Sequence, residues 1–579
     1  MDAVLRSRIA SRVQAGADEA ETTFRALGDH SGIAFGETAV GLFFSDRSRW
    51  VEGSSSAPFL SALLEEWIDV TEDRLPQAGT ILLSNDPYDG GGTLCDVLAV
   101  SAVPVDSDVC WVAAAGHYPD LGGRTVGGIA PAARSIHEEG VRVSLAEANG
   151  GLLDLMSANA RDPETVRNSL EAQIQCLGVF QDWLLGLGEI HGWETVESAG
   201  RETQERARLA LRQARQDLAH GTTVRLDRLD DDIHPRKTRS MRVELSIIDG
   251  LSTVDFEGTD PCSSGPTNCP ISATRAGVRV GYRHLFPEVP ACGFSEEGLE
   301  IRVPQGSLLD ACFPTAVSGT ADVLSDRVIS LTIEAFSKAV QGRGRACDGG
   351  GGNVVAFEVY GEKGVSGTSI SVGSGGGASG RGDGLSNTDA PGRFSAFPSV
   401  ESIERSAPVR VIRYETRTGS GGAGRYRGGD GTILELECLE PGMRVSVYGD
   451  RGKRGAAGHH RGSRGDTSHI SLFKEGHWQT FDPAGRLQDI ALETGDRVRI
   501  ETAGGGGYGH PYERAIRLLT EDVRAGRMSR KTAAKEHGVV YTSNDARDYD
   551  SAKTFKLRSY RLTSSDVDDF LDEIETLEG

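Results

Sequence analysis

Apolar residues recur at helical spacing over the first thirty positions of the chain. Intervals of three or four residues keep one face of a helix apolar, while the polar residues between them keep the other face in water. The series with this spacing is Leu5, Ile9, Val13, Ala17, Ala20, Phe24 and Leu27. It predicts one amphipathic helix, and Leu60, Leu63, Leu64 and Trp67 predict a second over residues 59–70.

The pattern changes from helical spacing to strands at residue 80. Residues 80–84 are predicted as a strand, followed by Asn85-Asp86-Pro87 and a loop with consecutive glycines at 90–92. Two apolar runs, 97–105 and 109–115, lie on either side of a short polar segment. This arrangement predicts a β-hairpin.

The hairpin brings two chemically active residues together. If its loop has two residues, Asp96 lies directly opposite His117 on the same face, with the Cβ atoms roughly 5 Å apart. A carboxylate and an imidazole in this arrangement can share a metal ion or hydrogen-bond to each other. Both strand ends open into polar, glycine-rich loops, where functional sites usually form. A slip of one residue would place the two groups on opposite faces.

The remaining pattern predicts an α+β, multidomain fold. Asp162-Pro163-Glu164 has the cap and proline of a helix start, and this helix should run to about residue 185. Further predicted elements are a helix at 201–219, a hairpin through Val243 and Phe256, a helix at 325–340, and tail helices at 512–525, from Ser529 and over 567–577. We therefore expect an α+β domain with the site hairpin over 1–235, a β-rich and glycine-rich domain over 236–511, and a helical tail over 512–579.

Glycine is the unusual component of the chain. The 579 residues include 75 glycines, about double the usual frequency of roughly 7%. They concentrate at 348–352, 373–384, 419–431 and 504–509. This predicts frequent turns and close approaches of backbone to backbone. None of these segments has the spacing of a phosphate-binding loop, so we do not expect the chain itself to bind a nucleotide.

Charge and cysteine usage narrow the class of protein. The net charge of −22 opposes binding to nucleic acid and to anionic membranes. No apolar run reaches the roughly 18 residues of a membrane helix, and the first residues lack the apolar core of a secretory signal. Nine cysteines occur without a CxxC pair, which indicates reduced thiols. A cytoplasmic enzyme is the expected class.

Several motifs resemble those of one enzyme family. Residues 85–96 are similar to the NDPY-x-GG-T-H-x-x-D-V segment of hydantoinase B subunits, and residues 116–123 to their AHHADVGG segment. The similarity covers residues 5 to about 540 and continues through 137–140, 159–161, 255–261, 265–268, 303–307, 420–429 and 502–509. The chain thus resembles the family of hydantoinase B, 5-oxoprolinase and acetone carboxylase large subunits.

This resemblance implies a metal site. At its four ligand positions, the family pattern aligns with Glu37, Thr93, Asp96 and His117. Thr93 stands where the family has histidine, and threonine is a poor ligand for zinc or manganese. Glu37, Asp96 and His117 are therefore the expected metal ligands, with Zn or Mn bound weakly if at all. Asp96, His117 and Asp120 are the candidate catalytic residues.

The resemblance also implies a partner. Members of the family work with an ATP-binding subunit of the hydantoinase A type and hydrolyse hydantoins, 5-oxoproline or lactams, or carboxylate small ketones. We therefore expect a B-type subunit of an ATP-dependent cyclic-amide hydrolase in a hetero-oligomer. Two alternatives stay open: a subunit of an ATP-dependent ketone carboxylase, and a non-catalytic scaffold subunit whose metal site has degenerated.

Overall fold

The structure is a computed structural model. It describes residues 3–559 apart from 29–36, 107, 232–236, 295–297, 341–342, 352, 362–363, 394–396, 482–485, 544–545 and 547. Within the described residues the chain forms α-helices and four β-sheets, so the expected α+β class is confirmed. The acidic helix predicted at 567–577 lies outside the described residues.

A six-stranded antiparallel sheet forms the centre of the N-terminal part. In spatial order its strands are β2 (Arg49–Glu52), β1 (Thr38–Phe43), β5 (Asp108–His117), β4 (Asp96–Val105), β3 (Ile81–Ser84) and β6 (Ala146–Glu147). Alternate residues of β4 enter different hydrophobic clusters: Val97 and Ala99 pack on one face, Leu98 and Val100 on the other. Because both faces are covered, β4 and β5 are apolar almost throughout.

Helices cover both faces of this sheet. They are α1 (Ala3–Leu27), α2 (Pro58–Thr71), α3 (Gly150–Ser157), α4 (Pro163–His191) and α5 (Trp193–Gln216). α1, α4 and α5 share a hydrophobic cluster on one face, and α2 packs on the other. The predicted helices α1 and α2 are confirmed, whereas α4 ends later and α5 begins earlier than predicted. Gly192, with φ of +75°, separates these two helices over a single residue.

The middle of the chain adds a four-stranded sheet and two buried helices. The sheet consists of β7 (Gly221–Asp230), β8 (Thr238–Ile248), β9 (Leu251–Asp255) and β10 (Leu299–Arg302). The helices are α6 (Ile271–Arg283) and α7 (Ser325–Phe336), and a π-helical turn, Thr320–Leu324, leads into α7.

One of these helices, α6, was not predicted. Its sequence contains Gly277 and Gly281, which lower helix propensity by about 1 kcal/mol each relative to alanine. The two glycines let α6 approach α7 closely, because a Cβ at Gly281 would lie 2.9 Å from Thr332. Tertiary packing, rather than local preference, therefore accounts for this helix.

Two further sheets pack face to face in the C-terminal half. One contains β11 (Asn353–Gly361), β12 (Gly364–Val372), β15 (Met443–Tyr448) and β18 (Arg486–Leu492). The other contains β13 (Val409–Arg417), β14 (Gly431–Cys438), β16 (His469–Lys474), β17 (His477–Phe481) and β19 (Arg497–Glu501). A short helix, α8 (Val400–Ser406), precedes β13, and one hydrophobic cluster contains residues of both sheets.

The glycine-rich segments lie against one another, backbone to backbone. The amide of Gly505 donates to the carbonyl of Gly429, and the amide of Gly429 donates to the carbonyl of Gly376, at 3.0 and 2.8 Å. A Cβ at Gly505 would overlap the carbonyl of Gly376. The close backbone approaches that the composition predicted are therefore present.

The tail consists of α9 (Ile516–Arg524), α10 (Arg530–His537) and α11 (Ser551–Ser559). Arg514 ties it to the glycine-rich region through ion pairs of 2.7 Å with Asp383 and Asp522. In the described part of the chain, the helices are all too short or too polar to cross a membrane. All nine cysteines are free thiols.

Candidate active site

The β4–β5 hairpin brings Asp96 and His117 into direct contact. The two residues are paired partners in the ladder, as predicted. Nδ1 of His117 and Oδ1 of Asp96 are 2.7 Å apart, and both residues are at most 5% exposed. The two side chains therefore form a hydrogen-bonded pair, which we call the dyad.

Thr93 fixes the carboxylate of the dyad. Its backbone amide donates to Oδ2 of Asp96 at 2.8 Å, and its hydroxyl donates to the same oxygen at 3.1 Å. Both carboxylate oxygens of Asp96 therefore have partners within the protein. Thr93, which the resemblance aligns with a histidine ligand, serves here as a support for Asp96.

The dyad sets the protonation and orientation of the imidazole. Burial works against the charged ring, but the hydrogen bond and the negative charge of Asp96 outweigh it and raise the pKa of His117. Glu37 raises this pKa further and Arg393 lowers it, so both lie within electrostatic reach of the ring. Because Nδ1 faces Asp96, Nε2 is the nitrogen that can exchange a proton with another molecule.

Gly128 lies beside Nε2 of His117. A Cβ at this position would lie 3.6 Å from Nε2 of His117 and 2.8 Å from Sγ of Cys95. The φ of Gly128 is +67°, which also favours glycine.

Glu37 lies next to the dyad but is bound to an arginine. Its backbone carbonyl accepts from the amide of His117 at 3.1 Å, just before β1 pairs with β5. Its carboxylate accepts from Nε of Arg393 at 2.7 Å and from the terminal NH2 of the same guanidinium at 2.6 Å. A third nitrogen of Arg393 binds Asp322 at 2.6 Å.

Asp326 completes this group from the first turn of α7. It lies one helical turn after Asp322, is 2% exposed, and has no hydrogen-bond partner for either carboxylate oxygen. Burial raises its pKa strongly, although Arg393 acts in the opposite direction. We call Glu37, Asp322, Asp326 and Arg393 the arginine cluster.

Asp120, the third predicted catalytic residue, belongs to a different network. Its carboxylate accepts from the backbone amide and the guanidinium of Arg161, at 2.5 and 2.8 Å. Arg161 in turn pairs with Glu358 on β11 at 2.6 Å. Asp120 therefore links the loop after β5 to the C-terminal half, and its catalytic role stays a prediction.

The residues present do not fit a resident metal ion in this arrangement. Both carboxylate oxygens of Asp96 are engaged by His117 and Thr93, and Glu37 is engaged by a guanidinium that already carries a positive charge. Among the residues that the structure describes, no group of three or more His, Cys, Asp or Glu side chains is placed to hold a metal. The three predicted ligands are close in space, but they do not form a coordination sphere.

Residues of the motifs shared with the family mainly form hydrogen bonds that fix the loops around the site. The side-chain amide of Asn85 donates to the carbonyls of Leu94 and Val141, which ties the segment before Asp96 to a neighbouring loop. Glu139 accepts from the amides of Val317 and Ser318 at 3.0 and 2.8 Å, just before the turn that carries Asp322.

Sequence reasoning missed Asp322, Asp326 and Arg393. Arg393 follows a proline-glycine turn with no recognisable motif, and the two aspartates lie in a stretch that was predicted only as a helix start. The single available signal was their spacing, since carboxylates four residues apart share one face of a helix.

A family model and curated relatives match the chain. The model, described as Hydantoinase B/oxoprolinase, matches residues 2–511. The B-type subunit of a putative D-/L-hydantoinase from Pseudomonas sp. (strain NS671) is 27% identical, and the match covers 88% of this chain and 89% of that protein. The 5-oxoprolinase PfmaA from Pestalotiopsis fici is 29% identical over 77% of this chain, which corresponds to 36% of that longer protein.

Solved structures share the fold. The crystal structure of the ATP-dependent caprolactamase from Pseudomonas jessenii superimposes with a TM-score of 0.86 at 23% identity, covering 97% of this chain and all of that one. A nucleotide-free acetone carboxylase structure superimposes with a TM-score of 0.83 at 17% identity, covering 96% of this chain and 82% of that one.

Proposed function

Because the chain belongs to the hydantoinase B/oxoprolinase family, we propose that it is the B-type subunit of an ATP-dependent cyclic-amide hydrolase. Its substrate would be a hydantoin, 5-oxoproline or lactam, and an ATP-binding subunit of the hydantoinase A type would be its partner. The observation that carries this proposal is the buried dyad, in which a carboxylate orients an imidazole and leaves Nε2 for proton transfer.

In the proposed reaction the partner subunit transfers the γ-phosphoryl group of ATP to the ring carbonyl oxygen. Nε2 of His117 takes a proton from water as the water oxygen bonds to the carbonyl carbon. The same proton then passes to the ring nitrogen as the C–N bond breaks, and the hydroxyl proton of the intermediate is lost to solvent as the carbonyl of the acyl phosphate forms. A second water releases phosphate from the acyl phosphate that remains.

The surroundings of the dyad suit a general base. Thr93 holds Asp96, so the imidazole keeps its tautomer and its direction while the positive charge forms. A positioned base of this kind contributes roughly 10²–10⁴-fold to rate.

Assays of the copurified complex with its ATP-binding partner test the proposal. Hydantoin, 5-oxoproline and a lactam would be incubated with and without ATP, and with and without bicarbonate, and ring-opened products measured by mass spectrometry. We expect ring opening that requires ATP and is indifferent to bicarbonate.

Two outcomes would favour the alternatives instead. Bicarbonate-dependent consumption of a small ketone would indicate a ketone carboxylase. The chain shares its fold with one such enzyme, the acetone carboxylase. A stable complex without turnover of either class would indicate a scaffold subunit, which the threonine at position 93 also favours.

A further inference from the structure

Arg393 lies among buried carboxylates that need a positive charge beside them. Carboxylates from two separate parts of the chain converge on its guanidinium: Glu37 before β1 and Asp322 in the π-helical turn. Asp326 lies within electrostatic reach of Arg393 and has no hydrogen-bond partner for either carboxylate oxygen. Arginine, which stays charged at every accessible pH, can hold such a group together permanently.

The pairing is buried, so it is not a chance surface contact. Arg393 is 8% exposed, and Glu37, Asp322 and Asp326 are each 5% exposed or less. Taking charges out of water is costly unless each is paired with good geometry. The guanidinium meets this condition with a two-nitrogen contact to Glu37 and a third nitrogen on Asp322.

We propose that the Arg393 guanidinium is the resident cation of this site and replaces the divalent metal that the family resemblance implies. Two observations agree with this assignment. Thr93 removes a metal ligand and turns Asp96 into the orienting partner of His117. Arg393 supplies the positive charge that Glu37, the first expected ligand, would otherwise share with a metal.

This assignment goes beyond the proposed function and can fail independently of it. It predicts that the folded chain neither carries nor needs a metal. It also predicts that removing the guanidinium creates a metal site, because Glu37, Asp322 and Asp326 would then lose the charge of Arg393 and could turn their carboxylate oxygens toward a metal ion. Oxygen ligands of this kind suit Mn²⁺, and Zn²⁺ could use them as well.

The test compares metal binding in the full-length chain and four variants. Metal content would be measured after purification, and affinity for Mn²⁺ and Zn²⁺ by calorimetric titration, with Tm recorded with and without EDTA. Arg393→Ala removes the cation, and Arg393→Lys keeps a positive charge. Arg393→Ala combined with Asp322→Asn removes one new ligand, and Arg517→Ala, at an arginine that is 75% exposed, is the matched control.

We expect substoichiometric metal and no effect of EDTA on Tm in the wild type, in Arg393→Lys and in Arg517→Ala. Arg393→Ala should bind Mn²⁺ or Zn²⁺ at least about tenfold more tightly than the wild type, and its Tm should rise with the ion. The added Asp322→Asn change should remove this gain.

The assignment is overturned if the wild type copurifies with about one metal ion per chain whose removal lowers Tm. It is also overturned if Arg393→Ala gains no affinity. Should Arg393→Ala fail to fold without metal, folding in the presence of Mn²⁺ or Zn²⁺ supports the assignment, and failure in both conditions contradicts it.

Discussion

The charged and titratable residues of the site form two groups, the dyad and the arginine cluster. In the dyad, Asp96 stabilises the protonated form of His117. In the arginine cluster, Arg393 neutralises Glu37 and Asp322. The two systems are electrostatically coupled, because Glu37 raises the pKa of His117 and Arg393 lowers it. Their closeness lets one buried region hold both a proton acceptor and a fixed positive charge.

The first prediction concerns the pH dependence of stability. The pKa of His117 is raised in the folded state above its unfolded value of about 6.5, so the folded state binds the proton more tightly. His117 should therefore contribute stability that is complete below about pH 6.5 and lost as pH rises through the raised pKa. The difference in Tm between wild type and His117→Gln should shrink from pH 6 to pH 8.5.

His459 gives a control of opposite sign. Burial lowers its pKa to about 4, so this histidine is neutral when folded. The stability advantage of wild type over His459→Gln should be present above about pH 6.5 and should decline as pH falls toward 4. Equal pH profiles for the two variants would contradict the charge assignments.

Part of the site could be predicted at this scale and part could not. Strand alternation and a two-residue turn place Asp96 opposite His117 without any knowledge of the rest of the chain. The partners Asp322 and Arg393 are more than two hundred positions away from His117, and only the tertiary fold brings them there. Local patterns also could not show which ring nitrogen of His117 would face Asp96.

Among the elements, the strands and helices with clear periodicity were predicted and those formed by packing were not. The helices α1 and α2 and the β4–β5 hairpin follow from spacing alone. α6 contains two glycines on the face that meets α7, so its propensity is low and its packing is close. The glycine-rich segments likewise have no periodicity, because their hydrogen bonds run between distant loops.

The second prediction tests the close backbone packing of Gly376, Gly429 and Gly505, which we call the glycine layer. Gly505→Ala should lower the free energy of unfolding by about 3 kcal/mol, because the new methyl group meets the backbone of Gly375 and Gly376, which cannot move aside cheaply. Thermal unfolding followed by calorimetry measures the effect.

Gly186→Ala is the matched control for this change. Gly186 lies within α4 with open space around its Cβ position, so alanine there should be neutral or stabilise by up to about 1 kcal/mol. Equal effects of the two substitutions would show that the close approaches do not constrain the glycine layer.

In the whole molecule, the predicted parts meet at the candidate site. A single hydrophobic cluster includes Leu98 of the N-terminal sheet, Val243 of the middle sheet and Ala356 of β11, so it continues past the proposed boundary at residue 235. Buried ion pairs reinforce this union: Arg327 of α7 binds Asp227 on β7, and Asp450 after β15 at 2.6 Å. The site therefore depends on contacts between the N-terminal, middle and C-terminal parts of the fold, and no short segment of the sequence contains all of its residues.

The proposed function divides the chemistry between two components. One relative is named as the B-type subunit of a hydantoinase, and the chain lacks a phosphate-binding loop of the usual spacing. We therefore assign ATP use to the partner and the water-dependent step to the dyad.

The most direct test of this central claim is ring-opening turnover by the complex with its ATP-binding subunit, measured for wild type and His117→Ala. His220→Ala, at a histidine that is 61% exposed, serves as the control. We predict that His117→Ala loses roughly 10²–10⁴-fold in ring opening while the complex stays intact and His220→Ala keeps full activity. Undiminished ring opening by the His117→Ala complex would contradict the assignment of the dyad as the base.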